Sequence, residues 1–172
     1  SSTDSDYVFS KHHMQTYLNQ QYSPQLGPAT IVGGRYRILR FLARGSVSEV
    51  YEAEVIDGVG NVALKILVED KDRLEDSESR EQRIAYFLRE AAVTAQVEHP
   101  NVVTLEAVGY DLRIGHYMAL EFLPGKRLDV VIREEGPMDE QRASEIALQI
   151  LSALAVTHGQ NCLLYTSDAA DE

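Results

Sequence analysis

Basic residues are scarce in this 172-residue chain: 16 lysines and arginines stand against 27 aspartates and glutamates, a formal net charge of −11. That balance leaves no broad cationic surface to follow a phosphate backbone, so nucleic acid is not expected as a partner. Cysteine occurs once, at Cys162, which excludes disulfides within the chain and thiolate metal sites. His12 and His13 remain as a conceivable pair of weak ligands, although adjacent histidines in a polar stretch are usually just solvated. No apolar run approaches the roughly 20 residues that a membrane-crossing helix needs. The N-terminus also lacks the basic-then-apolar layout of a signal peptide. A soluble, cytoplasmic segment without membrane contact is expected. Its length suits one domain with a real core but is short for a two-lobed enzyme.

The two ends differ from the middle. Ser1 to about Thr30 is polar, carries Pro24, Gly27 and Pro28, and shows neither period-two nor period-3.6 apolar spacing. Residues 1–33 are expected to be a mobile extension, with Tyr7, Val8 and Phe9 as a candidate anchor. The chain opens on Ser1 and not on methionine, which predicts a start further upstream. At the other end, Cys162 to Glu172 continues none of the pattern before it. It resembles translated adapter DNA, since one reading frame of a transposon-end adapter used in sequencing libraries encodes the same stretch. Residues 162–172 are read as read-through, the alternative being a natural acidic tail.

Between these ends the apolar spacing is informative. A β-prone run from Arg35 through Phe41 and Leu42 stops at Ala43-Arg44-Gly45-Ser46. Val50 to Val55 alternates, Asp57 to Asn61 supplies turn residues, and Val62 to Val68 alternates again. Glu69 to Gln82 reads as a charged linker. Ile84 to Val97 then favours helix, with Phe87, Leu88, Ala91 and Val97 as its apolar positions. His99-Pro100-Asn101 ends that helix, because the residue before proline is pushed out of the helical region. Extended runs follow at Val102 to Leu105 and Tyr117 to Leu123. Past Gly125, a short helix over Leu128 to Arg133 and a longer one over Met138 to His158 are expected. The longer one carries the stripe Ile146, Ile150, Leu151 and Leu154, which nothing downstream of residue 161 would cover.

Three features suggest chemistry. Gly45, in the turn Gly45-Ser46-Val47-Ser48-Glu49-Val50, would let backbone N–H groups approach a phosphate. Read alone, it is equally a hairpin turn. Lys65 lies with Ala63 on one face of its strand, opposite Val62, Leu64 and Ile66, where an edge lysine facing water is the simpler reading. Glu90 lies beside Phe87, Ala91, Thr94 and Val97 on the apolar side of its helix, with no basic residue three or four positions away. A buried carboxylate without a cation costs several kcal/mol, roughly, so Lys65 reaching across from the sheet would resolve both anomalies. A helix rotated to turn Glu90 into water is the alternative.

Leu42 through Val50, Ala63-Leu64-Lys65, Arg89-Glu90-Ala91, His99-Pro100-Asn101 and Glu121-Phe122-Leu123-Pro124-Gly125 together resemble the small lobe of protein kinases, in particular bacterial eukaryotic-like serine/threonine kinases. The match covers about Gly34 to Gln160. The resemblance implies an α+β fold: a five-stranded antiparallel sheet with one helix over residues 34–124, then the first helices of an incomplete helical lobe over residues 125–161. It implies ATP as ligand and protein serine or threonine hydroxyls as acceptors. The loop Ala43, Arg44, Gly45, Ser46, Val47 and Ser48 would cover the phosphates. Lys65, paired with Glu90, would contact the α- and β-phosphates. Leu42, Val50 and Ala63 would roof the adenine, Leu120 would stand behind it, and the backbone of Glu121 and Leu123 would hydrogen-bond the base. Ala43 and Ser48 depart from the family's glycines, so only Gly45 of the three remains.

In the family, an aspartate base and magnesium-binding side chains begin a few residues after the position of Asn161. Here the adapter-like stretch stands instead, so Mg2+ is expected for the parent enzyme while its ligands are absent from this chain. The parent is read as an active kinase and the chain of residues 1–172 as inert. A non-catalytic pseudokinase scaffold is the alternative from another class, and an antibiotic phosphotransferase is disfavoured by His99-Pro100-Asn101.

Overall fold

The computed structural model describes residues 24–68 and 77–159. The described chain forms one antiparallel sheet of six strands. These are β1 (Ile31–Val32), β2 (Tyr36–Arg44), β3 (Ser48–Val55), β4 (Asn61–Leu67), β5 (Leu105–Asp111) and β6 (Gly115–Glu121), in the spatial order β1-β2-β3-β4-β6-β5. Helix α1 (Ser77–Ala95) crosses between β4 and β5, and α2 (Leu128–Glu135) and α3 (Glu140–Gly159) follow β6.

Alternation splits the sheet into two faces with different coverings. One face gathers Tyr36, Ile38, Tyr51, Ala53, Val62, Leu64, Ile66 and Ala119, with Val32 from β1 and the partly buried Leu26 ahead of it. On the other face, Phe87 and Ala91 of α1 pack against Leu67 and Met118. Phe87 is fully buried, and burying such a side chain contributes about 1.5–3 kcal/mol. Although β1 and β5 stand at opposite ends of the strand order, Gly33 N donates to Asp111 Oδ2 at 2.8 Å. Arg113 Nη2 also donates to Ile31 O at 3.2 Å. The sheet is therefore curled until its first strand reaches the turn that joins its last two.

Tyr117 fills the face enclosed by this curl, edge-on to Tyr36 with ring centroids 5.9 Å apart. Its ring crosses two glycines. A Cβ on Gly109 would lie 2.4 Å from Tyr117 Cζ, and one on Gly33 would lie 2.2 Å from the hydroxyl oxygen. Gly33 also has φ +59, a backbone conformation that side chains disfavour.

Several expectations need correction. The sheet has six strands rather than five because β1 lies in the segment expected to be a mobile extension. Over residues 24–33 that expectation fails: Val32 is fully buried, Ala29 N donates to Ile38 O and Ile38 N to Thr30 O, both at 2.9 Å. Strand β1 is too short to show alternation, and Asp111, which holds Gly33, lies 78 residues away. Helix α1 begins at Ser77 rather than Ile84, since Glu, Arg and Gln favour helix without needing an apolar face. β5 begins at Leu105, because Val102 is held in a turn by its N–H bond to His99 O at 3.0 Å. The Tyr7–Phe9 anchor and the stretch 162–172 lie outside the described residues.

Candidate functional site

The face of the sheet turned toward α1 carries the residues singled out above. Antiparallel register sets Val50 opposite Lys65, Lys65 opposite Met118, and Ala63 opposite Leu120, so these side chains share one face. Leu42 sits at an irregularity in the β2–β3 ladder, between the pairs Phe41–Tyr51 and Ala43–Val50. Leu42, Ala43, Val50, Ala63, Lys65 and Leu120 are all half-buried, which leaves an open apolar surface beside a cation.

Lys65 Nζ donates to Glu90 Oε1 at 2.6 Å, joining β4 to α1. The Lys65 side chain is 18% exposed and that of Glu90 36%. Glu90 is thus at the margin of the apolar face and less buried than its helical position suggested, since α1 buries only Phe87 and Ala91 fully. Ion pairs with this much solvent contribute at most about 1 kcal/mol to stability. The pair fixes direction: it orients the ammonium on the α1-side face of the sheet and ties α1 to β4.

The turn itself is closed by Gly45 N donating to Ser48 O at 2.7 Å. Arg44, Gly45 and Ser46 are exposed, Ser48 is buried, and Val47 packs against the α1-side cluster. Val68 N donates to Val47 O at 2.9 Å, which extends the β3–β4 ladder to the turn. A Cβ on Gly45 would lie 3.2 Å from Ser48 Oγ, a close contact that glycine avoids.

At the end of β6, Glu121 N donates to Thr104 O at 2.8 Å. Among the described residues nothing accepts from the Leu123 N–H that follows. Leu123 is exposed. Farther along the same face as Ala63, Glu52 receives Asn61 Nδ2 at 2.8 Å and pairs with Arg40. The Asn61 bond holds its carboxyl below the usual value, burial opposes this, and Arg40 reinforces it.

Helix α3 is fastened to the loop after α1. His99 Nε2 and Ser152 Oγ are 2.9 Å apart, and Asn101 Nδ2 donates to Gln149 Oε1 at 3.3 Å. A cleft of about 300 Å³ opens here, between Pro100–Val103 and Ile146, Gln149 and Ile150, bordered by Glu121 and Leu123. It shares Glu121 and Leu123 with the strand end just described but does not include Val50, Ala63 or Lys65. Among the described residues, no group of three His, Cys, Asp or Glu side chains is placed to hold a metal ion. None of their helices is long and apolar enough to cross a membrane.

Two buried acidic residues gave no site signal in the sequence. Asp111 anchors β1 through Gly33, 78 residues away, so no local pattern marks it. Glu49 is buried although it borders the turn, and its position in phase with Tyr51 and Ala53 was the available signal.

The protein kinase domain model matches residues 36–166. A serine/threonine-protein kinase of Bacillus subtilis, PrkC, is 36% identical over 134 residues, covering 78% of this chain and 19% of that protein. A probable serine/threonine-protein kinase of Lactococcus lactis, PknB, is 33% identical over 134 residues, covering 77% and 20%. The chain thus spans about a fifth of the length of these relatives. The crystal structure of Rad53 1-466 in complex with AMP-PNP superposes with a TM-score of 0.60 at 23% identity, covering 74% of this chain and 31% of that one, a likeness of fold.

Proposed function

The chain belongs to the protein kinase family, and from that premise we propose that it is the ATP-binding part of a cytoplasmic serine/threonine protein kinase, with the nucleotide between the β2–β3 turn and the α1-side face of the sheet. The observation that carries this reading is the 2.6 Å Lys65–Glu90 pair, an oriented cation on the α1-side face of the sheet, opposite Val50 in register. Lys65 meets the α- and β-phosphates, while Glu90 keeps its ammonium aimed at them. Backbone N–H groups of Ala43 to Ser48 approach the phosphates over Gly45. Leu42, Val50 and Ala63 cover one side of the adenine, Leu120 lies behind it, and the Glu121 carbonyl and Leu123 N–H meet its edge.

Phosphoryl transfer to protein hydroxyls belongs to the parent enzyme in this reading. Mg2+ would neutralise charge on the ATP phosphates there. Among the described residues, no group of three His, Cys, Asp or Glu side chains is placed to hold such an ion. In this reading residues 1–172 bind ATP and transfer no phosphate. Nucleic acid is not a partner in this reading, given the net charge of −11, and no membrane contact is visible in this segment.

Titration of residues 1–172 with ATP tests the reading against Lys65→Ala. Removing the ammonium is expected to weaken binding roughly ten- to a hundredfold, as loss of one charge-assisted bond of about 1.5–3 kcal/mol implies. Equal affinity in the two proteins would refute the assigned role of Lys65. Incubation with labelled ATP and a generic protein substrate is expected to give no transfer above the Lys65→Ala background. Transfer above it would refute inertness.

A further inference from the structure

Glu49 is a carboxylate with only 1% of its surface exposed, and binding of a nucleotide makes no use of it. It lies between Ser48, where the β2–β3 turn closes, and Val50, which faces the proposed adenine. Strand alternation sends it to the opposite, enclosed face with Tyr51 and Ala53. There Tyr51 Oη donates to Glu49 Oε2, and the same oxygen accepts Gln25 N at 3.2 Å. Leu26 N in turn donates to Tyr51 Oη at 3.2 Å. The Tyr51 ring lies edge-on to Phe41, its register partner on β2, at 5.7 Å. One buried carboxylate thus connects the trailing arm of the turn, the β2–β3 ladder and the segment that leads into β1.

A buried carboxylate is tolerated where hydrogen bonds replace its water, and withdrawing one donor exposes the full desolvation cost. We propose that Glu49 is a positioning residue for the Ala43–Ser48 loop: with the Tyr51 hydroxyl it clamps the loop's trailing strand to residues 25 and 26, and through that clamp sets the affinity for nucleotide. This rests on the nucleotide reading above. The chain of action is short. Gly45 N reaches Ser48 O, Ser48 precedes Glu49, and Glu49 is held from behind by the leading segment. Whatever displaces residues 25 and 26 therefore loosens the loop on the other side of the sheet.

Tyr51→Phe removes the bridging hydroxyl and keeps the ring on Phe41, while Glu49→Gln keeps the shape and removes the charge. Amide hydrogen exchange of residues 1–172 without nucleotide, and ATP titration, are measured on both variants and the unaltered chain. Tyr51→Phe is expected to speed exchange both at residues 25–32 and at residues 45–50, and to weaken ATP binding about two- to tenfold, the factor that one hydrogen bond is worth. Glu49→Gln moves both readouts the same way, and it carries the test if Tyr51→Phe does not fold. Faster exchange at 25–32 alone, no change at either segment, or unchanged affinity overturns the proposal. If the unaltered chain binds no ATP, the nucleotide reading fails separately, and the exchange data still decide whether Glu49 holds the loop.

Discussion

Asp111 Oδ2 accepts the Gly33 N–H at 2.8 Å, joining residues 78 positions apart and bringing the first strand onto the last turn of the sheet. The carboxylate also receives Arg113 N through Oδ1 at 2.9 Å. Burial pushes the Asp111 carboxyl up, but the amides of Gly33, Arg113 and Ile114 and the charge of Arg113 outweigh it and hold the carboxyl below the usual range.

The sign of the resulting pH dependence follows from that depression. The unfolded carboxyl titrates near about 3.9, so the stabilisation is complete above that value and is lost as pH falls through the lower folded one. Asp111→Asn is expected to destabilise residues 1–172 at pH 7 by about 1–3 kcal/mol and to flatten the acid limb of the stability profile. Urea unfolding between pH 2 and pH 7 measures both effects. A parallel acid limb in the variant would show that Asp111 does not carry it.

Gly109→Ala places a methyl group 2.4 Å from Tyr117 Cζ, and neither the β5–β6 ladder nor the enclosed ring can yield cheaply. A loss of about 1–3 kcal/mol is expected, the usual range for overpacking. Tyr117→Leu should recover part of it, so a double-mutant cycle in urea tests the contact directly. Strictly additive effects would mean that the ring is not the obstacle.

The Lys65–Glu90 pair was legible because two residues were out of place locally, a cation on a half-apolar strand face and a carboxylate among Phe87, Ala91 and Thr94. Each explained the other. The strands followed from alternation and turn residues, and the helices after Gly125 from apolar spacing. β1 was not legible, because two residues are too few to show alternation, and Val32 and Gly33 owe their order to pairing with β2, to the enclosed core and to Asp111. The start of α1 was hidden for the opposite reason: Ser77 to Gln82 is exposed, so no apolar position marks it as helix. The depth of Glu90 was overestimated because the helical wheel places residues on a face without showing where the packing on that face ends.

On α3, Leu148, Ile150 and Leu151 are 66%, 49% and 59% exposed, beside half-buried Ile146 and Leu154. Grouped apolar side chains of this kind favour association in water. Residues 1–172 are expected to self-associate with rising concentration in sedimentation velocity. Leu148→Glu with Leu151→Glu should return the protein to monomer and leave its melting transition within about 0.5 kcal/mol, as for exposed positions generally. Persistent association in the double variant would move the contact elsewhere.

Ala63 is half-buried between Glu52 and Leu120 in register. A phenylalanine there fills the space assigned to the base while extending away from the enclosed core. Ala63→Phe is expected to abolish measurable ATP binding and to change stability by less than about 1 kcal/mol, since its ring meets open surface and not a packed interior. Fluorescence titration alongside urea unfolding separates the two. Full affinity in this variant would place the base elsewhere.

Amide-resolved hydrogen exchange with and without ATP locates the nucleotide. Slower exchange is expected at Ala43 to Ser48 and at Leu123 on addition of ATP, and no such change in Ala63→Phe. Protection confined to Asn101–Val103 and Ile146–Ile150, around the cleft of about 300 Å³, would contradict it.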